Sequence, residues 1–339
     1  MVNKVNVFFI QLLRGIIIFF SMSQVALIMT DDSVFLEKKG HFFPATLLDP
    51  SYDHNKIVPY KFLESQKSSY IVFVKDDEGN HYIIKQEKSV MLGKQMRAIC
   101  EALCAHISLS LDIPSQYVRI IPVNVPFPGK FITKRVGTIH SLVPGETIRS
   151  NPNGLYAKLD IKQSTDKDLL FEQQGFNEKT IYWMSQHHQL PLIVALDTFV
   201  GNKDRNKANI LYDVESNSFY AIDMALMYDI QSSSKPVAQI ACDHVVAMIE
   251  QNKRFSEKEL EALQAYRLML KKLVHYYPPQ TMCELFDDFF LESKITATPF
   301  FNAKEITITV NLYKRAIRQS YIDIKKLIYL LFILLNQQA

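Results

Sequence analysis

The stretch "GNKDRNKANILYD", residues 201–213, sets Asp204 and Asn209 five residues apart, and the apolar run "FYAID" closes on Asp223 fourteen residues after Asn209. Two carboxylates and a side-chain amide are hard oxygen donors, suited to a divalent cation such as Mg2+ or Mn2+. Asp204 can position or deprotonate an attacking hydroxyl. Asn209 can reach a cation through its amide oxygen, and Asp223, at the end of an apolar strand, can bridge metal and phosphates from a rigid position. Upstream, Lys85 in "HYIIKQ" shares a strand face with His81 and Ile83, while Tyr82 and Ile84 point the other way. A lysine on a covered face needs an anion, and a nucleotide phosphate would supply one. Glu101, sixteen residues on in a helical segment, can orient the amine; Glu87 is nearer in sequence but sits at the strand end. Phosphoryl transfer asks mainly for positioning and charge neutralisation, and these residues form a nearly complete set for it. The plain alternative is the polar side of two turns and a lysine pointing to solvent.

Those side chains need elements to hold them. Tyr70 to Lys75 and His81 to Lys85 are β-rich runs around the hairpin signal "DDEGN". "FLESQKSSYIVF" gives another strand–turn–strand just before, so a small antiparallel sheet of three or more strands is expected. "MLGKQMRAICEALCAHISLSLDI" carries Met96, Ile99, Leu103 and Ile107 at helical spacing and ends at Pro114. "YVRIIPVNV" and "GKFITKRV" read as strands again, across "PFPG". Residues 145–170 read as polar surface and short helices. "EKTIYWMSQHHQLPLIVALDTFVG" is helical with Pro191 near a start or kink, and "NILYDVESNSFYAID" is a hairpin. Beyond residue 236 the chain is mostly helical, with Ser256 and Glu259 fitting a capping box.

A small sheet with one long helix, then helices with a polar loop and hairpin, is the outline of a bilobal kinase. Asp204 and Asn209 match the D-x-x-x-x-N spacing of the kinase catalytic loop. The segment "LDTFVGNKDRNKANILYD…FYAIDMA" resembles the atypical kinases of the phosphatidylinositol 3-/4-kinase and HipA-like group, whose pattern is roughly D-x-x-x-G-N-x-D-R-H-x-x-N followed by I-D-x-G. Asp197, Gly201, Asn202, Asp204, Arg205 and Asn209 match the first part, and Ile222 and Asp223 the second. The resemblance implies an α+β, bilobal protein-kinase-like fold: a small antiparallel-sheet N-lobe with one long helix and a mainly helical C-lobe. It implies ATP with Mg2+ or Mn2+ as cofactors, Asp204 as catalytic aspartate, Asn209 and Asp223 as metal ligands, Lys85 as the phosphate-binding lysine and Glu101 as its partner. It places the adenine hinge near "GKFITKRV", with backbone groups between Phe131 and Arg135, Thr133 among them, meeting the base. Asn206 stands where His is usual and Ala225 where Gly is usual, so reduced or specialised activity is one implication. No glycine-rich loop is present; "ESQKSSY" instead offers Ser65, Ser68 and Ser69 to the phosphates, as in the serine-containing loops of some phosphoinositide kinases.

The 339 residues, 48% hydrophobic and 22% charged, suffice for a large core. The expected organisation is an apolar segment over 1–29, an N-lobe over 30–135, a C-lobe over 136–250 and a helical region over 251–339. A net charge of +3 gives no basis for nucleic-acid binding. Cys100 and Cys104 sit on one helix face as buried thiols. The N-terminal apolar segment is interrupted by Gln11 and Arg14, which spoils both a signal-peptide and a membrane-span reading; a buried helix, or residues ahead of a start at Met22 or Met29, fits as well. Only Lys235 is basic in "MALMYDIQSSSKPVAQIACDH" after Asp223, which favours a protein Ser/Thr acceptor over a charged lipid headgroup. The alternatives are a phosphoinositide or inositol-phosphate kinase, and a catalytically weak kinase-like scaffold. Lys271, Lys272, Lys314, Arg315, Arg318, Lys325 and Lys326 with the apolar run Leu327–Leu335 suggest an anionic phosphoinositide membrane or an inositol phosphate as partner of the C-terminal region; packing on the protein is the competing role for that run. The divergent motif in a compact chain also looks like the kinase-like effectors that intracellular bacterial pathogens secrete into host cells. That likeness implies a host-protein substrate and a place in the host cytoplasm or on a host membrane; a cytoplasmic protein is the alternative.

Overall fold

The structure is a computed structural model, and it describes residues 58–63, 69–123, 135–147, 176–205, 208–225, 227–228, 235–297 and 301–338. Strands β1 (Val58–Leu63), β2 (Ser69–Lys75), β3 (His81–Glu87), β4 (Val118–Val123) and β5 (Arg135–Ser141) form one antiparallel sheet in the order β1-β2-β3-β5-β4. Both edge strands carry a proline, Pro59 beside a register shift in β1 and Pro122 in β4. An edge is where a missing N–H costs least, and a proline there also blunts pairing with another chain. The β2–β3 turn is held by Asp76, whose Oδ1 accepts from the backbone N–H of Glu78 at 3.0 Å and of Asn80 at 2.8 Å.

Helix α1 (Leu92–Ser110) follows β3 and packs against β3, β4 and β5. It is buried on nearly every side from Gln95 to Ser108, which marks a core helix rather than a surface one. After α1 the chain runs past the second sheet: Ala221 N–H donates to Pro114 O at 3.0 Å, and the Ser115 hydroxyl donates to Ala221 O at 3.2 Å. That second sheet comprises β6 (Glu146–Thr147), β7 (Ile210–Asp213) and β8 (Ser218–Ala221) in sequence order.

The remaining elements are helical: α2 (Glu178–Met184), α3 (Leu190–Val200), α4 (Val237–Glu250), α5 (Glu257–Tyr276), α6 (Pro279–Glu292) and α7 (Ala303–Asn336). Pro191 sits in the first turn of α3, and Ser256 with Glu259 forms the capping box of α5. The fold is thus α+β, an antiparallel-sheet N-terminal region followed by a mainly helical C-terminal part.

Two expectations can be set beside the described residues. The end of the strand expected at 129–136 belongs to Arg135–Ser141, which carries the first sheet to Ser141, while residues 129–134 lie outside the described residues. Residues 251–339 do not stand apart: α5, α6 and α7 share one hydrophobic core with α1, α3 and α4. Leu327, Leu330, Leu331 and Leu334 of the apolar tail are buried in that core. Among the described residues no helix is long and apolar enough to cross a membrane, and all four cysteines are buried and unpaired. The apolar segment 1–29, Ser65, Ser68, Phe131, Thr133 and Asn206 lie outside the described residues.

Candidate active site

Asp197 and Arg205 are the framework of the polar loop, both fully buried. The Arg205 guanidinium donates through Nε to Asp197 Oδ2 and through Nη2 to Asp197 Oδ1, each at 2.8 Å. Its Nη1 donates to Ile222 O at 2.8 Å and also to Asn209 O. One side chain therefore ties the last turn of α3 to the start of β7 and the end of β8. Burial would lower the Arg205 pKa, but the charge and hydrogen bonds of Asp197 raise it, so the guanidinium stays charged. Gly201, at φ 66°, ends α3 in the left-handed conformation. Asn202 then donates to Asp197 Oδ1 at 2.7 Å and accepts the Asp204 N–H at 3.1 Å.

The loop holds Asp204 and Asn209 against each other. Asn209 Nδ2 donates to the Asp204 carbonyl at 2.7 Å and to Asp204 Oδ2 at 3.4 Å, which turns its Oδ1 to the other side. Ile222 N–H donates to Asn209 O at 3.1 Å, so Asp223 follows directly on the residue that closes the hairpin. Asp223 has φ 53°, a left-handed conformation that aspartate tolerates better than most residues. Ala225 is absent from the positive-φ residues, so alanine in place of the usual glycine brings no such strain there.

Lys85 completes the cluster from β3. Its Nζ donates to Glu101 Oε1 at 3.3 Å and to Asp223 Oδ1 at 2.5 Å, spanning 138 residues of sequence in the second contact. Burial alone would lower the lysine pKa, but Glu101 and Asp223 together raise it. Burial would raise Asp223; the charge and hydrogen bond of Lys85, with Arg205 behind, hold it below the usual carboxylate range. Its side chain nevertheless keeps 42% of its surface exposed, so the carboxylate is open to solvent. Glu101 is the deeper of the two, 3% exposed, and burial pushes it up to about 7 against the pull of Lys85.

The structure thus brings Lys85, Glu101 and Asp223 into direct contact, brings Asp204 and Asn209 into direct contact, and joins the two sets through the Asn209–Ile222 hydrogen bond. It does not bring Ser69 to them. That residue begins β2, is buried, and donates its hydroxyl to Glu87 Oε1 at 3.2 Å. Glu87 in turn pairs with Arg97 at 3.5 Å, which leaves Glu101 as the carboxylate on Lys85. Sequence reasoning missed His140. It is buried on β5, its Nε2 2.8 Å from Thr138 Oγ1 and 3.9 Å from Glu101 Oε2, and burial lowers it to about 3, leaving it neutral. It also missed the link Leu142–Gly145, which carries the chain from β5 directly to β6 and so from one sheet to the other.

The donor set is compatible with Mg2+ or Mn2+. Among the described residues no group of three or more His, Cys, Asp or Glu side chains stands ready to cage a metal. The Asn209 amide oxygen and the Asp223 carboxylate are few and hard, which suits an ion that takes its other ligands from phosphates and water.

No protein-family model matches the chain, and no curated protein matches it. Among solved structures, it is similar to the MAP kinase LmaMPK10 from Leishmania major, with 14% identity and a TM-score of 0.30 over 61% of each chain. It is also similar to the open conformation of CtTel1, with 13% identity and a TM-score of 0.42 over 87% of this chain. The matches span 61% and 13% of the length of those two proteins.

Proposed function

We propose that the chain is an ATP- and divalent-metal-dependent phosphotransferase of atypical kinase type. The observation that carries this reading is the Lys85 ammonium held between Glu101 Oε1 and Asp223 Oδ1, a cation from the sheet meeting carboxylates from two other elements. Lys85 would exchange Asp223 for nucleotide phosphate oxygens, with Glu101 keeping the amine in place. Asn209 and Asp223 would hold Mg2+ or Mn2+, which when bound supplies charge neutralisation to the phosphates. Asp204, fixed by Asn202 and Asn209, would orient the acceptor hydroxyl. The acceptor oxygen attacks the γ-phosphorus, the bond from that phosphorus to the β,γ-bridging oxygen breaks, ADP leaves with the electron pair, and the acceptor proton passes to Asp204. Backbone groups of Leu142–Gly145, rather than of residues 131–135, would meet the adenine, because that segment joins the two sheets. A protein Ser or Thr is the favoured acceptor, since Lys235 is the one basic residue in the segment after Asp223 and is already paired with Asp243 at 2.8 Å.

A radiolabel-transfer assay tests this, with γ-labelled ATP, Mg2+ or Mn2+, and proteins, phosphoinositides and inositol phosphates as acceptors. Transfer by the wild type that falls by about 10²–10⁴-fold in Asp204→Ala and Asp223→Ala is expected. Transfer that is equal in the wild type and both variants, or absent from every acceptor, overturns the reading.

A further inference from the structure

Among the described residues, six positions other than glycine have positive φ; five are Asp, Asn or Lys, and the sixth is Tyr228, at 44°. Aspartate and asparagine enter that conformation readily, whereas a bulky side chain is strained there and must be held by its surroundings. What holds Tyr228 is the end of α3. The last carbonyls of a helix have no partner within it. Tyr228 supplies two: its N–H donates to Val200 O at 2.9 Å and its hydroxyl donates to Phe199 O at 3.1 Å. The buried ring closes over Gly201, where a Cβ would come within 3.4 Å of Tyr228 Cδ1. Met227, beside it, accepts the Cys104 thiol of α1 at 3.3 Å. The helix capped in this way carries Asp197 and runs into Asn202 and Asp204. Tyr228 lies five residues after Asp223, itself at φ 53°. Upstream, Asp223 is tied to the polar loop through Ile222, whose N–H donates to Asn209 O at 3.1 Å and whose O accepts from Arg205 at 2.8 Å. Downstream, Tyr228 returns the chain to the start of that same loop.

We propose that Tyr228 is a positioning residue for Asp223: it fastens the segment leaving Asp223 to the C-terminal end of α3, and so fixes the metal-holding carboxylate relative to Asp204 and Asn209. The proposal rests on reading Asp223 as a metal ligand. A second donor, the Ser320 hydroxyl of α7, also reaches Phe199 O, at 3.3 Å. It meets the same carbonyl but is no part of the segment after Asp223, so it separates capping of the helix from fastening of the segment. If the fastening holds Asp223, opening at Tyr228 also lets the carboxylate go. A metal that binds only the fastened state must then oppose that opening.

The test reads amide hydrogen exchange at residue 228 in the full chain. Tyr228→Phe, which removes only the hydroxyl, should quicken it by about fivefold, the weight of one hydrogen bond. Ser320→Ala should leave it at the wild-type rate while lowering the melting temperature. In the wild type, Mn2+ with the non-hydrolysable nucleotide AMP-PNP, at about ten times the half-saturating Mn2+ concentration, should slow the exchange by about tenfold relative to AMP-PNP alone. Electron paramagnetic resonance of the Mn2+ measures its binding independently. An unchanged rate in Tyr228→Phe, an equal rise in Ser320→Ala, or exchange indifferent to Mn2+ that the resonance shows to be bound overturns the proposal alone. Mn2+ that does not bind the wild type overturns the metal-ligand reading and the proposal with it, so the two failures are distinguishable.

Discussion

Lys85 balances two carboxylates of different depth, and that difference has a consequence for pH. Glu101, raised by burial from the ordinary 4.5 to about 7, binds its proton more tightly folded than unfolded. Its contribution to stability is therefore fully present below pH 4.5 and lost as the pH rises through 7. Replacing it by neutral, similarly shaped glutamine removes that dependence. The stability of Glu101→Gln relative to the wild type should improve between pH 4.5 and 8, by up to about 3 kcal/mol. Urea titrations at half-unit intervals would measure this, and a constant difference across the range would contradict it. His140, lowered by burial from 6.5 to about 3, makes both proteins less stable as the pH falls below 6.5, a dependence that cancels in the difference between them. At this scale the sequence was largely readable. Asp204, Asn209 and Asp223 lie within twenty residues of one another, and local spacing conveys local geometry. Lys85 came from strand alternation, and Glu101 from its place in the next helix. His140 was hidden because a histidine in a strand looks the same whether it faces water or a carboxylate.

At the scale of elements, the strongly periodic pieces were legible and the doubly buried one was not. The β2–β3 hairpin, α1, the capped α5 and the β7–β8 hairpin each announce themselves by alternation, helical period or turn chemistry. Strand β5 lies between β3 and β4, and Val136 to His140 are buried without interruption, so the alternation that identifies a half-exposed strand is missing. The hinge expected at 131–135 falls almost wholly outside the described residues. The link that does join the sheets depends on Gly145, at φ 103°. A Cβ there would stand 2.6 Å from the backbone carbon and oxygen of Tyr212 and 2.8 Å from Asp213 N. These are backbone atoms of a paired strand and cannot move aside cheaply. Gly79, at φ 85°, has open space around its Cβ position. Gly79→Ala should cost about 1 kcal/mol from conformation alone, whereas Gly145→Ala should cost about 3 kcal/mol or more and weaken ATP binding. Equal losses in paired thermal melts would contradict the argument. Arg205 gives a second test at this scale. Arg205→Leu strands Asp197 in the core and should cost about 3–5 kcal/mol, with loss of transfer as the loop lets go of Asn209 and Ile222.

For the whole molecule, the C-terminal quarter, residues 251–339, is both core and surface. Deleting residues 251–339 would remove partners of α1, α3 and α4 from one continuous core, so a deletion would report on folding rather than on any ligand of this region. The exposed side of α7 can be tested without touching the core. Buried Ile317, Ile324, Leu327 and Leu331 define one side of the helix, and the opposite side presents Lys304, Ile308, Arg315, Arg318, Ile322, Lys326 and Tyr329. Four cations interleaved with exposed apolar side chains fit an anionic lipid surface, where each cation near the surface adds about 1 kcal/mol of attraction. The prediction is that the wild-type chain cosediments with vesicles containing 30% (about one lipid in three) phosphatidylserine, and that Arg315→Glu/Arg318→Glu/Lys326→Glu reduces binding by about 100-fold with an unchanged melting temperature. Raising the salt should weaken the wild type towards the variant, because exposed charges more than about 10 Å apart are screened at 0.1 M. Equal sedimentation of wild type and triple variant, or equal binding to neutral phosphatidylcholine vesicles, would show that these cations are a solvated face and that α7 serves the fold alone.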